Sequence, residues 1–242
     1  EKWTTTYSVL IGNGNGIHQE DNNDAKDLNL YLSSEYDLPG GKGQLKHGVK
    51  TYGYYQQGVR NFVVDAAGTL SEDFDRIRYG VGFKALGGIF GEDNGRHRLG
   101  GEIMFADGMI HVSPVGNVAD SAFPSYMQFA AEKGNKSRGV TLDYGYYLDK
   151  NLQLDIRYSR HELLYETVNN AYWKPSDERI LEFVDIGVNY RFSLNTRLTV
   201  NYVFREVSAP TPVAGTTTSA QIQTDNQNIL TDAVGNGFGL RL

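Results

Sequence analysis

The stretch "DRIRYGVGFKALG", Asp75–Gly87, sets Ile77, Tyr79, Val81, Phe83 and Ala85 on every second position, with Arg76, Arg78, Gly80, Gly82 and Lys84 in the gaps. In a strand, successive side chains point to opposite faces. One face of this segment is therefore wholly apolar, and the other carries three cations and two glycines. A soluble sandwich would bury the first face against a second sheet and give the other to water. A membrane would take the apolar face into hydrocarbon. The rest of the chain decides between them.

The same period recurs. "DLNLYLSSEY" (27–36) sets Leu28, Leu30, Leu32 and Tyr36 against Asn29, Tyr31, Ser33 and Glu35. "GVTLDYGYYL" (139–148) and "NLQLDIRYSR" (151–160) alternate in the same way, as do "FVDIGVNYRF" (183–192) and "RLTVNYVFRE" (197–206). Such strict alternation is the signature of strands with two unlike faces. With further strands near 3–11, 44–55, 59–70, 98–106, 109–115 and 236–242, the count comes to about twelve, within a range of ten to fourteen.

Composition agrees with strands and turns: 28 Gly, 16 Tyr and 11 Phe accompany 6 Pro and no Cys in 242 residues. Without cysteine the chain holds no disulfide and no thiolate metal site. No run approaches the roughly 18 apolar residues a membrane helix needs. Mean hydropathy is −0.44, and a β-barrel escapes that average because its lipid-facing and lumenal residues alternate. Net charge is −6, and no basic helix or RNA-binding aromatic signature points to nucleic acid. Glu1-Lys2-Trp3 opens directly into a strand-like run with no signal-peptide pattern, so an exported protein of this sequence would be the mature chain.

Links between the strands sort by length. Tight polar links are expected at "DLPGGKG" (37–43), "SEDFD" (71–75), "DKN" (149–151) and "SLNT" (193–196). Long ones are expected at 12–26, 115–137, 167–178 and 208–235. They largely alternate, as the turns and loops at the two ends of a membrane barrel do. Within the second long link, "ADSAFPSYMQFAAEKG" (119–134) has some helical character, but a plain loop is the better reading. No shift in composition marks a boundary, so residues 1–242 read as one domain.

In hydrocarbon an open sheet edge leaves backbone groups unpaired at several kcal/mol each, and closing the sheet removes the edges. The expected fold is therefore all-β, a transmembrane antiparallel up-and-down β-barrel with both termini at the end of the tight links. Alternation assigns Lys46, Lys50, Arg76, Arg78, Lys84, Arg98, Arg157, Arg191, Arg205 and Arg241 to the lumen, with Glu35, Asp65, Glu102, Asp143, Asp155 and Asp185. That wall is net basic although the chain is net acidic, and charged walls in narrow pores select ions by sign. His47 and Arg60 fall on the opposite, lipid-facing side. Trp3, Tyr36, Tyr55, Phe90, Tyr146, Tyr165, Phe192 and Phe204 suit aromatic girdles at the two interfaces.

In these features the chain resembles bacterial outer-membrane β-barrel proteins of the porin type over nearly its whole length. The closing "GNGFGLRL" resembles their C-terminal assembly signal, with Gly237, Leu240 and Leu242 at the glycine and apolar positions, although Leu242 stands where an aromatic residue is usual. The resemblance implies an outer-membrane location among lipid and lipopolysaccharide. It also implies passive diffusion of small hydrophilic, mildly anion-preferred solutes, with the thirteen residues Lys46, Lys50, Arg76, Arg78, Lys84, Arg98, Glu102, Asp143, Asp155, Arg157, Asp185, Arg191 and Arg205 lining the pore and no cofactor. A non-conducting structural or adhesive barrel is the first alternative. An outer-membrane enzyme is the second, disfavoured because His18, His47, His97, His111 and His161 are scattered and no HExxH or GxSxG occurs. "EDNNDAKD" (20–27) lacks the glycine and terminal glutamate of a calcium loop, and "GNGNG" (12–16) follows no βαβ pattern.

Overall fold

The computed structural model describes residues 2–13, 25–41, 46–63, 71–87, 96–108, 111–114, 127–130, 136–165, 178–193, 196–208 and 236–241. They are all-β. In chain order the strands are β1 (Lys2–Asn13), β2 (Lys26–Asp37), β3 (Gly48–Val63), β4 (Ser71–Leu86), β5 (His97–Asp107), β6 (His111–Pro114), β7 (Met127–Ala130), β8 (Lys136–Tyr147), β9 (Leu152–Tyr165), β10 (Arg179–Arg191), β11 (Arg197–Ser208) and β12 (Gly237–Arg241). Ten of them form one antiparallel up-and-down sheet in the order β1-β2-β3-β4-β5-β8-β9-β10-β11-β12. β6 and β7 pair with each other as a separate hairpin.

Three expectations change. The sheet is not closed: β1 pairs with β2 alone and β12 with β11 alone, which leaves both as edges. In place of the two strands expected at 44–55 and 59–70, Gly48–Val63 is one unbroken strand, β3, with 64–70 outside the described residues, and "SEDFD" lies inside its partner β4 instead of forming a turn. "QQG" at 56–58 looks like a break because Gly58 usually punctuates a strand, yet Gln56, Gln57 and Gly58 stay in register with Arg78, Ile77 and Arg76. Gly58 is small for a different reason: Asp27 lies over it. The segment expected at 109–115 as a strand of the main sheet is β6, whose partner β7 falls within 119–134, so residues 127–130 are neither helix nor plain loop.

Ten strands running up and down bring Lys2 and Arg241 to the same end of the sheet. The strand ends that flank 38–47, 87–96, 148–151 and 192–196 lie at that end, and those that flank 14–25, 64–70, 108–135, 166–178 and 209–235 at the other, so the expected sorting by length holds only in part. At the tight end, Leu148 donates its N–H to the Leu152 carbonyl and Phe192 to that of Thr196. His47 belongs to this end too. It precedes β3 instead of taking a lipid-facing strand position, is buried, and lies against Gly40 and Gly87, with Nδ1 3.2 Å from the Pro39 carbonyl oxygen. Both glycines have positive φ, 105° and 109°, a region an L side chain rarely enters.

Burial is distributed in the reverse of a soluble fold. Among the described residues the buried apolar side chains are Ala85 and Leu164, whereas Asp27, Ser33, His47, Ser137, Gln153 and Ser159 are buried polar ones. Large apolar residues lie open: Tyr7 at 77%, Ile11 at 68% and Val81 at 62% exposed, with Leu32, Leu142, Ile156, Ile186 and Phe204 among others. The reason is the single layer. No second sheet or helix covers the apolar face among the described residues, while side chains of the polar face cover one another.

Candidate functional site on the polar face

Paired residues share a face of the sheet, so the register arranges the polar side chains in rows. One row runs Glu35, Lys50, Lys84, Gly100, Asp143, Arg157, Asp185 from β2 to β10. The next runs Ser33, Tyr52, Gly82, Glu102, Thr141, Ser159. Twelve of the thirteen expected wall residues are strand residues, and the register places all twelve on this one face. Lys46 precedes β3 and binds Asp37 at 2.7 Å. Asp65 lies outside the described residues, and of Arg60 and Arg241 only the backbone register is described.

The glycines of the opening stretch are passages for longer side chains. The Tyr52 phenol crosses Gly82 and donates to Glu102 Oε2 at 2.6 Å, and Tyr54 crosses Gly80 to Oε1 at 2.9 Å. A Cβ on Gly82 would stand 2.5 Å from the Tyr52 oxygen, and one on Gly80 2.6 Å from that of Tyr54. One carboxylate thus ties β3 to β5 over β4. The same device recurs at Gly145, where Arg98 Nη2 of β5 meets Asp155 Oδ1 of β9 at 2.7 Å across β8. From Asp155 the network continues through Asn189 to Thr199, whose hydroxyl donates to Asn189 Oδ1 at 2.6 Å. At low local dielectric a polar network of this kind rigidifies the face that carries it.

Ion pairing divides the expected wall charges. Arg76 binds Asp27 at 3.4 Å, and Arg98 binds Asp143 at 3.4 Å as well as Asp155. Lys84, Arg157, Arg78, Arg191 and Lys50 make no ion pair within 4 Å among the described residues, and Lys50 lies beside Tyr31, 6.0 Å from its ring centroid. Lys50 and Lys84 are also direct cross-strand partners. Together with Glu35, Arg98, Asp143 and Arg157 they line a recess of about 460 Å³ near the tight-link end. Sequence alternation finds these charges, but pairing over a glycine from two strands away has no signal in it.

The apolar face has its own order. Trp3 packs on its cross-strand partner Tyr36 with centroids 4.8 Å apart, and Tyr79 stacks on Phe105 at 5.2 Å. Towards the long-link end the apolar residues stop at charged ones: Asp75 on β4, Asp107 on β5, Arg138 on β8, Arg160 on β9, Glu182 on β10 and Glu206 on β11. From β4 to β9 the border descends obliquely through the register, and from β9 to β11 it runs level, since Arg160, Glu182 and Glu206 are direct cross-strand partners. Asp107 faces Ile77, two residues past Asp75; Arg138 faces Phe105, two residues past Asp107; and Arg160 faces Val140, two residues past Arg138. At this border Arg138 and Arg160 share Glu162, at 2.5 and 2.8 Å. A larger recess, about 570 Å³, lies on this face among Leu32, Val81, Phe83, Ile103 and Leu142.

Of the histidines, His97 lies at 2.8 Å from the Tyr144 hydroxyl on the apolar face, and His161 lies on the polar face beside Phe183. The described residues contain no group of three or more His, Cys, Asp or Glu arranged to hold a metal ion. Residues 20–24 of the acidic segment and Phe90 lie outside the described residues, while Asp27 is a strand residue. Compared with protein-family models, with curated proteins and with solved structures, the chain matches none.

Proposed function

We propose that this protein is a bacterial outer-membrane barrel of the porin type, its sheet closed through β1 and β12, which lets small hydrophilic solutes diffuse across the membrane. One observation carries the reading: large apolar side chains cover one face of a single-layer sheet while ion pairs and hydrogen bonds fill the other. In water that apolar face exceeds what a soluble monomer exposes. In lipid it needs no cover. The oblique course of the border from β4 to β9 supports the same reading, because strands that cross a slab at a tilt of about 35–45° cut its surface at shifting register positions. Trp3, Tyr36, Tyr79 and Phe105 lie near the two borders, where interfacial aromatics belong.

Ten strands make a narrow pore, because barrels of about eight are filled by their own side chains. The Tyr52–Glu102–Tyr54 cluster favours a second reading, a non-conducting barrel with an ionic interior. The unpaired Lys84 and Arg157 beside an open recess favour conduction with a mild anion preference that weakens as salt rises. Recording from single proteins in a planar bilayer tests this. Discrete conductance steps with an anion-positive reversal potential in a KCl gradient are expected, and a silent, inserted protein would leave the structural barrel.

A further inference from the structure

We infer that the recess between Lys50, Lys84 and Arg157 binds a small organic anion bearing two or more carboxylate or phosphate groups. The inference rests on the channel reading for its place in a lumen, and its chemistry stands on the recess itself.

Direct cross-strand pairing holds Lys50 and Lys84 side by side. Like charges directly opposite each other destabilise a sheet, and neither lysine has a carboxylate within 4 Å among the described residues. Tyr31 offers Lys50 its ring and a neutral phenol oxygen, which leave the ammonium charge unneutralised. An oxyanion placed between the two ammonium groups removes that repulsion and gains charge-assisted hydrogen bonds from both.

Arg157 closes the far side of the same row, beyond Gly100 and Asp143. Asp143 is already committed to Arg98 at 3.4 Å, so the Arg157 guanidinium remains to take a second oxyanion. Gly100 stands between them in the row, with the Asp143 carboxylate leaning over it. Of the other charges lining the recess, Lys46 is held by Asp37, and the single charge of Arg98 is shared by Asp143 and Asp155, so Glu35 and one aspartate charge stand against the three cations. The balance favours an anion, and the volume of about 460 Å³ admits one larger than phosphate. Two separated points of positive charge select a ligand with two separated anionic groups.

Calorimetric titration of the full chain in detergent micelles, in dilute buffer, tests this with citrate, inorganic phosphate and the neutral triol glycerol as probes. Native protein is expected to bind citrate saturably and more tightly than phosphate, and not to bind glycerol. Lys50→Gln with Lys84→Gln, and separately Arg157→Gln, should each weaken citrate about tenfold or more. Lys84→Arg should keep binding, and Arg197→Gln, which removes the same charge outside the recess, should leave it within about twofold. Strand-rich circular dichroism verifies that each variant is folded. Equal loss in the Arg197 variant would overturn the proposal, as would unchanged binding in the lysine and Arg157 variants, or no citrate binding by native protein. Bilayer conductance is scored separately, so a conducting protein that ignores citrate defeats the site and spares the channel, while a silent one that binds citrate through these residues does the reverse.

Discussion

Arg98 of β5 is bound to Asp155 of β9 at 2.7 Å, with β8 passing between them. The pair is possible because the β8 residue in the gap is Gly145, and it joins strands that share no backbone hydrogen bond. A double-mutant cycle with Arg98→Ala and Asp155→Ala, read by equilibrium unfolding in detergent, should give a coupling of about 1 kcal/mol. Both groups are only part-buried, so solvent screens the attraction. Each single variant should cost more than the double variant implies, because it leaves the partner's charge on the wall.

Gly82→Val should destabilise the sheet by about 2 kcal/mol or more, because its side chain enters the space of the Tyr52 phenol. Adding Tyr52→Ala should recover part of the loss. Strict additivity of the two in an unfolding titration would show that the tyrosine does not occupy that space.

Ile186 and Asp185 are neighbours on β10 that face opposite sides, one half-exposed on the apolar face and the other on the polar row. In a membrane, Ile186→Lys should cost about 2–4 kcal/mol near the bilayer midplane, and Asp185→Lys should insert normally. Folding yield into vesicles measures both. On the surface of a soluble protein the Ile186 change would be neutral or helpful, so the sign of its effect separates the two environments.

In the tight turn between β8 and β9, the Asp149 carboxylate accepts the N–H of Asn151 at 2.6 Å and of Leu152 at 2.9 Å, which holds its carboxyl below the ordinary aspartate range. A folded-state pKa below the unfolded one contributes stability that is present above the unfolded value and is lost as pH falls through the folded one. Protection of the Asn151 and Leu152 amides, taken relative to their intrinsic exchange rate at each pH, should therefore fall on acidification into that range. In Asp149→Ala it should be lower already at neutral pH and show no such step.

Strand identity and face were legible in the sequence because alternation is a local property: Leu152, Leu154, Ile156 and Tyr158 against Gln153, Asp155, Arg157 and Ser159 needs no tertiary knowledge. Strand boundaries were harder, since Gly58 reads as a turn until Asp27 is found lying over it to reach Arg76. The candidate site was half legible. Its charges appear in the alternation, but which cations are neutralised depends on gaps such as Gly145 and on a register that sets Lys50 against Lys84. The strand near 109–115 was legible as β6, but its partner β7 was missed because a four-residue strand carries too short a period to separate from loop.

The most direct measurement of the central claim is a spin-label scan along β10 from Val184 to Asn189 in lipid vesicles, with dissolved oxygen and a water-soluble nickel chelate as collision partners. A β10 with one lipid-facing side gives a period of two: oxygen collisions peak at Val184, Ile186 and Val188, and nickel collisions peak at Asp185, Gly187 and Asn189 or are low there if the interior is closed. High nickel accessibility at Val184, Ile186 and Val188 in vesicle-bound protein, or failure of the native chain to associate with vesicles at all, would contradict it.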